Sequence, residues 1–252
     1  MYPTRIRGFE MKKIGFTLII MTFVIGSATG LLSCSEMFPI HHGNGKLITT
    51  EQNVSPYTKI DCSGSADVQF YASDEYKTAV TVDSNLDEFT EVFVKNNTLH
   101  IRSKAGYTIH YTQFLVKVYC PLLTEVSLSG SGSFAGIDKI ITPSFHTSIS
   151  GSGKVDGIIT CDNFSTKISG SGKINIEGAA NDADVIISGS GKFNGNNFNI
   201  QKAEVKISGS GDANMWIEDH LKAIISGSGR INYRGNPTVD STISGSGRIR
   251  RI

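Results

Sequence analysis

Residues 185–193 have the sequence Val-Ile-Ile-Ser-Gly-Ser-Gly-Lys-Phe, and the Ser-Gly-Ser-Gly at their centre occurs seven times in the chain of 252 residues. Successive copies are 18 to 21 residues apart, and they begin at Ser129, Ser150, Ser169, Ser188, Ser208, Ser226 and Ser244. Self-similarity at a nearly fixed period is the signature of a repeat architecture. A repeat this short has no room for a crossover helix. Each repeat therefore predicts one coil of a β-solenoid, in which each coil pairs in parallel with the next.

The residues around each motif alternate between apolar and polar. The residue before the motif is Leu128 in the first copy and Ile in the other six. The third residue before it is Val, Thr, Ala or Ser, and the fifth residue after its first Ser is Phe, Val, Ile or Ala. These positions share one parity, which both glycines of the motif also have. A period of two predicts strands with the apolar parity inward. We therefore expect Ile187 to stack between Ile168 and Ile207 at a spacing of about 4.8 Å.

The segment 46–122 is also predicted to be β-structure, but it is irregular. Residues 59–68 match the repeat with Ala66 in place of the second Gly, which indicates a degenerate eighth copy. Residues 92–101 predict a hairpin, because Asn96 and Asn97 tolerate the positive φ of a tight turn. We expect this segment to cap the solenoid of residues 123–252, whose end would otherwise expose unpaired strand edges. An antiparallel sandwich is the alternative, but it requires hairpin turns about every ten residues, and these are missing.

Residues 1–33 are predicted to be a signal peptide, with Met11 as the expected start. Two lysines precede an apolar run of 12 residues, Ile14 to Ile25, which is too short to span a bilayer comfortably. The run leads to Leu-Leu-Ser-Cys at residues 31–34, which resembles the lipobox of bacterial lipoproteins. This resemblance implies cleavage before Cys34 and attachment of a diacylglycerol to its sulfur. We interpret residues 34–45 as a flexible tether, since His41 and His42 alone are too few ligands for a metal.

Charge and cysteine content exclude several classes of protein. After removal of residues 1–33 the chain carries 20 basic and 22 acidic groups, whereas nucleic-acid-binding domains are usually clearly basic. Cys62, Cys120 and Cys161 match no zinc or redox spacing. We interpret them as buried free thiols, and a disulfide between two of them is the alternative.

The lipobox, the irregular β segment and the coils together resemble a family called the putative auto-transporter adhesins, with a head GIN domain. The stretches that carry the resemblance are Ile60–Ser65, Pro121–Leu123, Val126–Gly132 and Gly235–Gly247. The resemblance implies a right-handed β-helix in a Gram-negative envelope protein. It supplies no functional residue that could be transferred to this chain.

The outward positions of the coils are the best candidates for a binding site. One column contains Lys154, Lys173, Lys192, Asp212, Arg230 and Arg248, and a neighbouring column contains Asp156, Asn175, Asn194, Asn214 and Asn232. Like charges at ladder spacing repel one another, so stability alone would not favour the basic column. Solubility and edge protection are the alternative role of the basic column, and a self-bonded ladder is the alternative for the Asn column. Tyr107 and Tyr111 form a second candidate, because exposed aromatic rings bind sugars or proteins, although they could equally be core residues.

No pattern in the chain predicts a cofactor or a metal site. The Gly-Ser-Gly runs lack the helix that a phosphate-binding loop requires, and the lysines that follow them repel calcium. We therefore predict a non-enzymatic lipoprotein, anchored to the outer membrane through Cys34, that binds a glycan or a surface protein. A structural spacer is the alternative, and a carbohydrate-active enzyme that uses Asp87-Glu88 as half of an acid pair is a third hypothesis. The sequence leaves open whether the protein faces the periplasm or the cell surface, and what its oligomeric state is.

Overall fold

Strands dominate the part of the chain that the structure, a computed structural model, describes, which is residues 38–252. Cys34 and the predicted signal peptide lie outside these residues. A single 3-10 turn, Asp87–Phe89, is their helical element, and none of their helices is long and apolar enough to cross a membrane. The strands are β1 Ile40–His42, β2 Leu47–Asn53, β3 Lys59–Gly64, β4 Asp67–Ala72, β5 Lys77–Asp83, β6 Thr90–Lys95, β7 Thr98–Ser103, β8 Thr108–His110, β9 Phe114–Cys120, β10 Glu125–Gly130, β11 Ser133–Gly136, β12 Ile140–Ile141, β13 Ser144–Gly151, β14 Lys154–Gly170, β15 Lys173–Gly189, β16 Lys192–Gly209, β17 Asp212–Gly227, β18 Arg230–Arg234, β19 Thr238–Gly245 and β20 Arg248–Arg251.

The Ser-Gly-Ser-Gly repeats form a parallel ladder in register, which confirms the predicted all-β solenoid. It has about seven turns. Ser169 pairs with Ser188, and Ser188 pairs with Ser208, each one coil further along the axis. Ile187 is fully buried between Ile168 and Ile207, as the spacing predicts. The core is therefore a set of aligned apolar columns that run through the coils.

The two glycines of each motif have different roles, and the expectation that both face inward is wrong for the first one. Gly189 has a φ of 114°, so the chain turns there and the alternation breaks. A Cβ on Gly189 would lie 2.7 Å from the carbonyl oxygen of Gly170 in the preceding coil. Gly191 is buried, and a Cβ there would lie 2.4 Å from Cγ2 of Ile168. The second glycine thus leaves the space that an isoleucine of the neighbouring coil fills.

The segment before the repeats adds two layers to the same solenoid. β3 pairs with β10 in register, so that Ser63 meets Ser129, as expected for an eighth copy of the repeat. Below them lie β7 and β9, which pair in parallel with β3 and β4 although they follow them in sequence. Antiparallel strands complete this end, since β6 pairs with β7 and β5 pairs with both β2 and β9. The sheet is continuous from residues 46–122 into residues 123–252.

Part of the predicted tether packs against this end of the solenoid. β1 pairs in parallel with β8, and the rings of His42 and His110 stack at 4.9 Å. The fully buried carboxylate of Asp83 accepts hydrogen bonds from the backbone N–H of Gly45 at 2.8 Å and of Thr112 at 2.7 Å. Burial alone would raise the pKa of Asp83, but these hydrogen bonds outweigh it and lower the pKa. Residues 43–45 are therefore fixed to the body by a charged, hydrogen-bonded node.

Cys62, Cys120 and Cys161 are free, buried thiols. Burial raises the pKa of Cys161 to about 11 and that of Cys62 to about 12. The thiolate is the reactive form, so these cysteines remain protonated and unreactive at neutral pH.

Candidate functional site

The basic column is continuous along one side of the solenoid. Lys154 pairs with Lys173 and Lys173 with Lys192, and the column goes on through Asp212 and Arg230 to Arg248. The column is a direct consequence of the repeat, because each of these residues immediately follows a Ser-Gly-Ser-Gly motif. Paired strands lie about 4.8 Å apart, so the five steps from Lys154 to Arg248 span about 24 Å.

Carboxylates neutralise part of the column. Nζ of Lys154 lies 2.8 Å from Oδ2 of Asp156, and Nζ of Lys192 lies 4.0 Å from Oδ2 of Asp212. Arg230 holds Asp212 through two hydrogen bonds, from Nε to Oδ1 at 2.8 Å and from Nη2 to Oδ2 at 3.2 Å. Lys173 and Arg248 have no ion pair among residues 38–252. Positive charge in excess of the carboxylates therefore remains at both halves of the column.

The neighbouring asparagine column is hydrogen-bonded to itself. Nδ2 of Asn175 donates to Oδ1 of Asp156 at 2.7 Å, and Nδ2 of Asn194 donates to Oδ1 of Asn175 at 3.4 Å. Nδ2 of Asn232 likewise donates to Oδ1 of Asn214 at 2.9 Å. A primary amide has two N–H donors, so the ladder uses one donor of each of these amides. The second donor of each can serve a ligand that lies along the basic column.

A cavity of about 880 Å³ adjoins the last coils of the column. Its polar wall includes Lys192, Arg230 and Arg248, and its apolar wall includes Ile243 and Ile249. The column thus runs into a concave surface that combines cationic and aliphatic groups. The sequence pattern gave the column but gave no sign of this cavity, which depends on how neighbouring coils pack.

The structure does not unite the two predicted tyrosines with the basic column or with each other. Tyr107 is 39 % exposed, and its ring lies 4.9 Å from that of Phe89. Tyr111 is half-buried, its hydroxyl hydrogen-bonds those of Thr90 and Ser103, and its ring packs on Phe114. Both residues belong to the end of the solenoid that carries β1 and β8.

A second charged cluster lies on the strands that precede the motif and was not singled out from the sequence. Oε1 of Glu204 lies 2.8 Å from Nζ of Lys206 and 3.1 Å from Nζ of Lys222. Hydrogen bonds from these two ammonium groups lower the pKa of Glu204. The carboxylate is thus ionised and satisfied, which is the arrangement of a surface ion pair. In the part of the chain that the structure describes, no three His, Cys, Asp or Glu side chains are grouped so that they could hold a metal.

Comparison with known proteins places this geometry in a family. Residues 56–237 match the family described as "Putative auto-transporter adhesin, head GIN domain". No curated protein matches the chain. The crystal structure of a protein described as a putative adhesin from Bacteroides fragilis superposes with a TM-score of 0.80 at 24% identity, covering 84% of this chain and 100% of that one. At that identity the likeness shows the fold alone.

Two further solved structures are similar over the same region. A protein described as a "Putative lipid binding protein" from Parabacteroides distasonis is 30% identical, with a TM-score of 0.72, and the match covers 84% of this chain and 99% of that one. A protein described as a putative adhesin from Parabacteroides merdae is 26% identical, with a TM-score of 0.68, and the match covers 85% and 99% of the two chains. With its coils, its register and the match over residues 56–237, the chain belongs to the family described as "Putative auto-transporter adhesin, head GIN domain".

Proposed function

We propose that this protein is a non-enzymatic lipoprotein of the outer membrane that holds an acidic glycan of the envelope or of a host surface along its basic column. The observation that carries the proposal is the register of the column, which aligns Lys154, Lys173 and Lys192 on adjacent strands. Like charges on adjacent strands destabilise a sheet, so a ligand that neutralises them gives the arrangement a reason to exist.

The chemistry of the column suits an extended anionic polymer better than a compact ligand. Its cations are exposed and repeat at strand spacing, so a chain of carboxylates or sulfates can meet several of them at once. Lysine ammonium groups and asparagine amides both donate hydrogen bonds, which matches the acceptors of acidic sugars. The mature chain is close to neutral overall, so the attraction is local and should weaken as salt is added.

The catalytic hypothesis has less support than binding. Asp87 and Glu88 are exposed on the 3-10 turn, where neither carboxylate contacts the basic column or the cavity beside it. A hydrolase needs two carboxylates that flank one bond, with at least one partly shielded from water. A reducing-sugar assay on acidic polysaccharides tests this point, and we expect no product.

The binding experiment compares the purified mature protein, kept in detergent, with two triple variants that change the net charge equally. In the first variant Lys154, Lys173 and Lys192 become Gln. In the second, the exposed lysines Lys139, Lys167 and Lys202, which lie outside the column, become Gln. Polygalacturonate is the anionic probe and dextran the neutral one.

We expect the column variant to lose polygalacturonate binding and the control variant to keep most of it. Binding by the unaltered protein should fall as salt increases, and dextran should not bind. Equal losses in the two variants would mean that net charge rather than the column attracts the polymer. If no acidic or neutral glycan binds, the spacer hypothesis becomes the better account.

A further inference from the structure

Exposed apolar side chains surround β1 at the end of the solenoid where the described chain begins. Phe38 is 53% exposed, Ile40 51%, Leu47 45% and Tyr107 39%. We refer to these four residues as the N-terminal apolar patch. Large exposed apolar side chains that occur together mark a surface which contacts a partner or a membrane.

The patch is held in place rather than carried on a loose tail. Ile40 pairs with Thr108, which places it beside Tyr107, and the backbone N–H of Thr108 donates to the carbonyl of Pro39 at 3.0 Å. The ring of His41 lies 4.4 Å from that of Phe89 and 5.5 Å from that of Tyr107.

The node at Asp83 fixes the other side of the patch. It holds the backbone of Gly45, two residues before Leu47. The apolar side chains therefore remain exposed although the backbone that carries them is fixed.

The position of the predicted anchor indicates what covers the patch. Cys34 precedes Phe38 by four residues, and four extended residues span at most about 14 Å. Acyl chains on Cys34 would therefore keep the patch within about 14 Å of the bilayer surface. A second copy of the chain is held there by no such constraint.

The charges near the patch are mixed. Lys46 and Lys104 are exposed on one side of the balance, and Asp87 and Glu88 on the other. A surface with this balance has little net attraction for anionic headgroups. Its contact with lipid should therefore depend on apolar burial and should not weaken as salt is added, unlike binding at the basic column.

We propose that the N-terminal apolar patch lies against the bilayer that receives the lipid anchor, so that this end of the solenoid faces the membrane. The inference rests on the proposed lipid attachment at Cys34. Because coils stack at about 4.8 Å, Lys154 lies about 14 Å and Arg248 about 38 Å along the axis from the layer of β7 and β9. The basic column is thereby presented away from the membrane that carries the protein.

The test places a fluorescent side chain at the patch or far from it in the lipidated protein. The single tryptophan of the chain is removed by Trp216→Phe, and either Ile40→Trp or Ile243→Trp is added. Ile243 is 44% exposed on β19 in the last coil, so it is comparable in exposure to Ile40. Each protein is reconstituted into phosphatidylcholine vesicles that contain brominated phosphatidylcholine, which quenches tryptophan within the bilayer.

We expect all proteins to float with the vesicles, the Ile40→Trp reporter to be quenched and the Ile243→Trp reporter to keep its emission. Adding Phe38→Ser and Leu47→Ser to the Ile40→Trp protein should reduce quenching without changing flotation, because the acyl chains still hold the protein. Flotation without quenching of either reporter would refute the patch and leave the lipid anchor standing. Failure to float would refute the lipid anchor and the patch together.

Discussion

Replacing Ile187 by Ala tests the inter-coil packing that defines the fold. The side chain is fully buried in β15, and the change deletes three carbons from the central column. At about 0.8 kcal/mol for each buried carbon the transfer term alone is about 2.4 kcal/mol. The cavity left between two flanking coils raises the expected loss toward the upper part of the range of about 2–5 kcal/mol seen for such truncations.

Ile158→Ala is the matched control, because it deletes the same atoms from a residue that is 45% exposed on β14. A loss of about 3 kcal/mol lowers the Tm of a protein of this size by about 6–12 °C. Scanning calorimetry on the two variants measures the difference directly. If Ile187→Ala and Ile158→Ala lower the Tm equally, the assignment of inward and outward columns is wrong.

The glycine opposite Ile187 provides an independent check by a double-mutant cycle. A Cβ on Gly211 would lie 2.5 Å from Cγ2 of Ile187 and 2.9 Å from the carbonyl oxygen of Gly191. Gly211→Ala should therefore destabilise the unaltered protein. It should cost less in the Ile187→Ala background, because the clash with Cγ2 is gone. Additive losses would mean that the two side chains do not meet across the coils.

Three further predictions follow from single contacts. The buried hydroxyl of Thr166 has no hydrogen-bond partner among the described residues, and Val185 occupies the same position in the next coil, so Thr166→Val should leave the Tm unchanged or raise it, as calorimetry can show. Gly189 and Gly64 both have positive φ, but a Cβ on Gly64 would meet no atom within 4 Å, so Gly189→Ala should lower the midpoint of urea unfolding more than Gly64→Ala. The lowered pKa of Asp83 means that its stabilisation is fully present above the usual Asp pKa of about 3.9 and is lost as pH falls below it, so the amides of residues 43–45 should exchange hydrogen faster only in acid, or at neutral pH in Asp83→Asn.

The periodic part of the fold could be predicted from the sequence because the repeat carries its own register. Once Ile187 and Ile207 occupy equivalent positions, parallel pairing of their strands follows, and the basic column follows with it. The hairpin at Asn96 and Asn97 was also predictable, and the structure confirms it, with φ of 51° and 60° at these residues. In both cases a local pattern determines the geometry.

Features that depend on distant pairing were not predictable in this way. β7 and β9 lie beneath β3 and β4 although they follow them in the chain, and no local pattern marks that order. The packing of β1 depends on Asp83, a residue about 40 positions away whose partners are backbone N–H groups that leave no signature in the sequence. The break in alternation at Gly189 was missed because a parity count assumes extended φ throughout, and this glycine has positive φ.

Hydrogen exchange of the protein with and without polygalacturonate tests the central claim, that the basic column is the ligand surface. The account predicts slower exchange on bound protein in the strand segments that begin at Lys154, Lys173 and Lys192, with no change around Tyr107 and Tyr111. The protection should disappear when the salt concentration is high enough to release the polymer. Protection confined to the loop that contains Tyr107, or protection at the lysine segments that persists in high salt, would contradict the account.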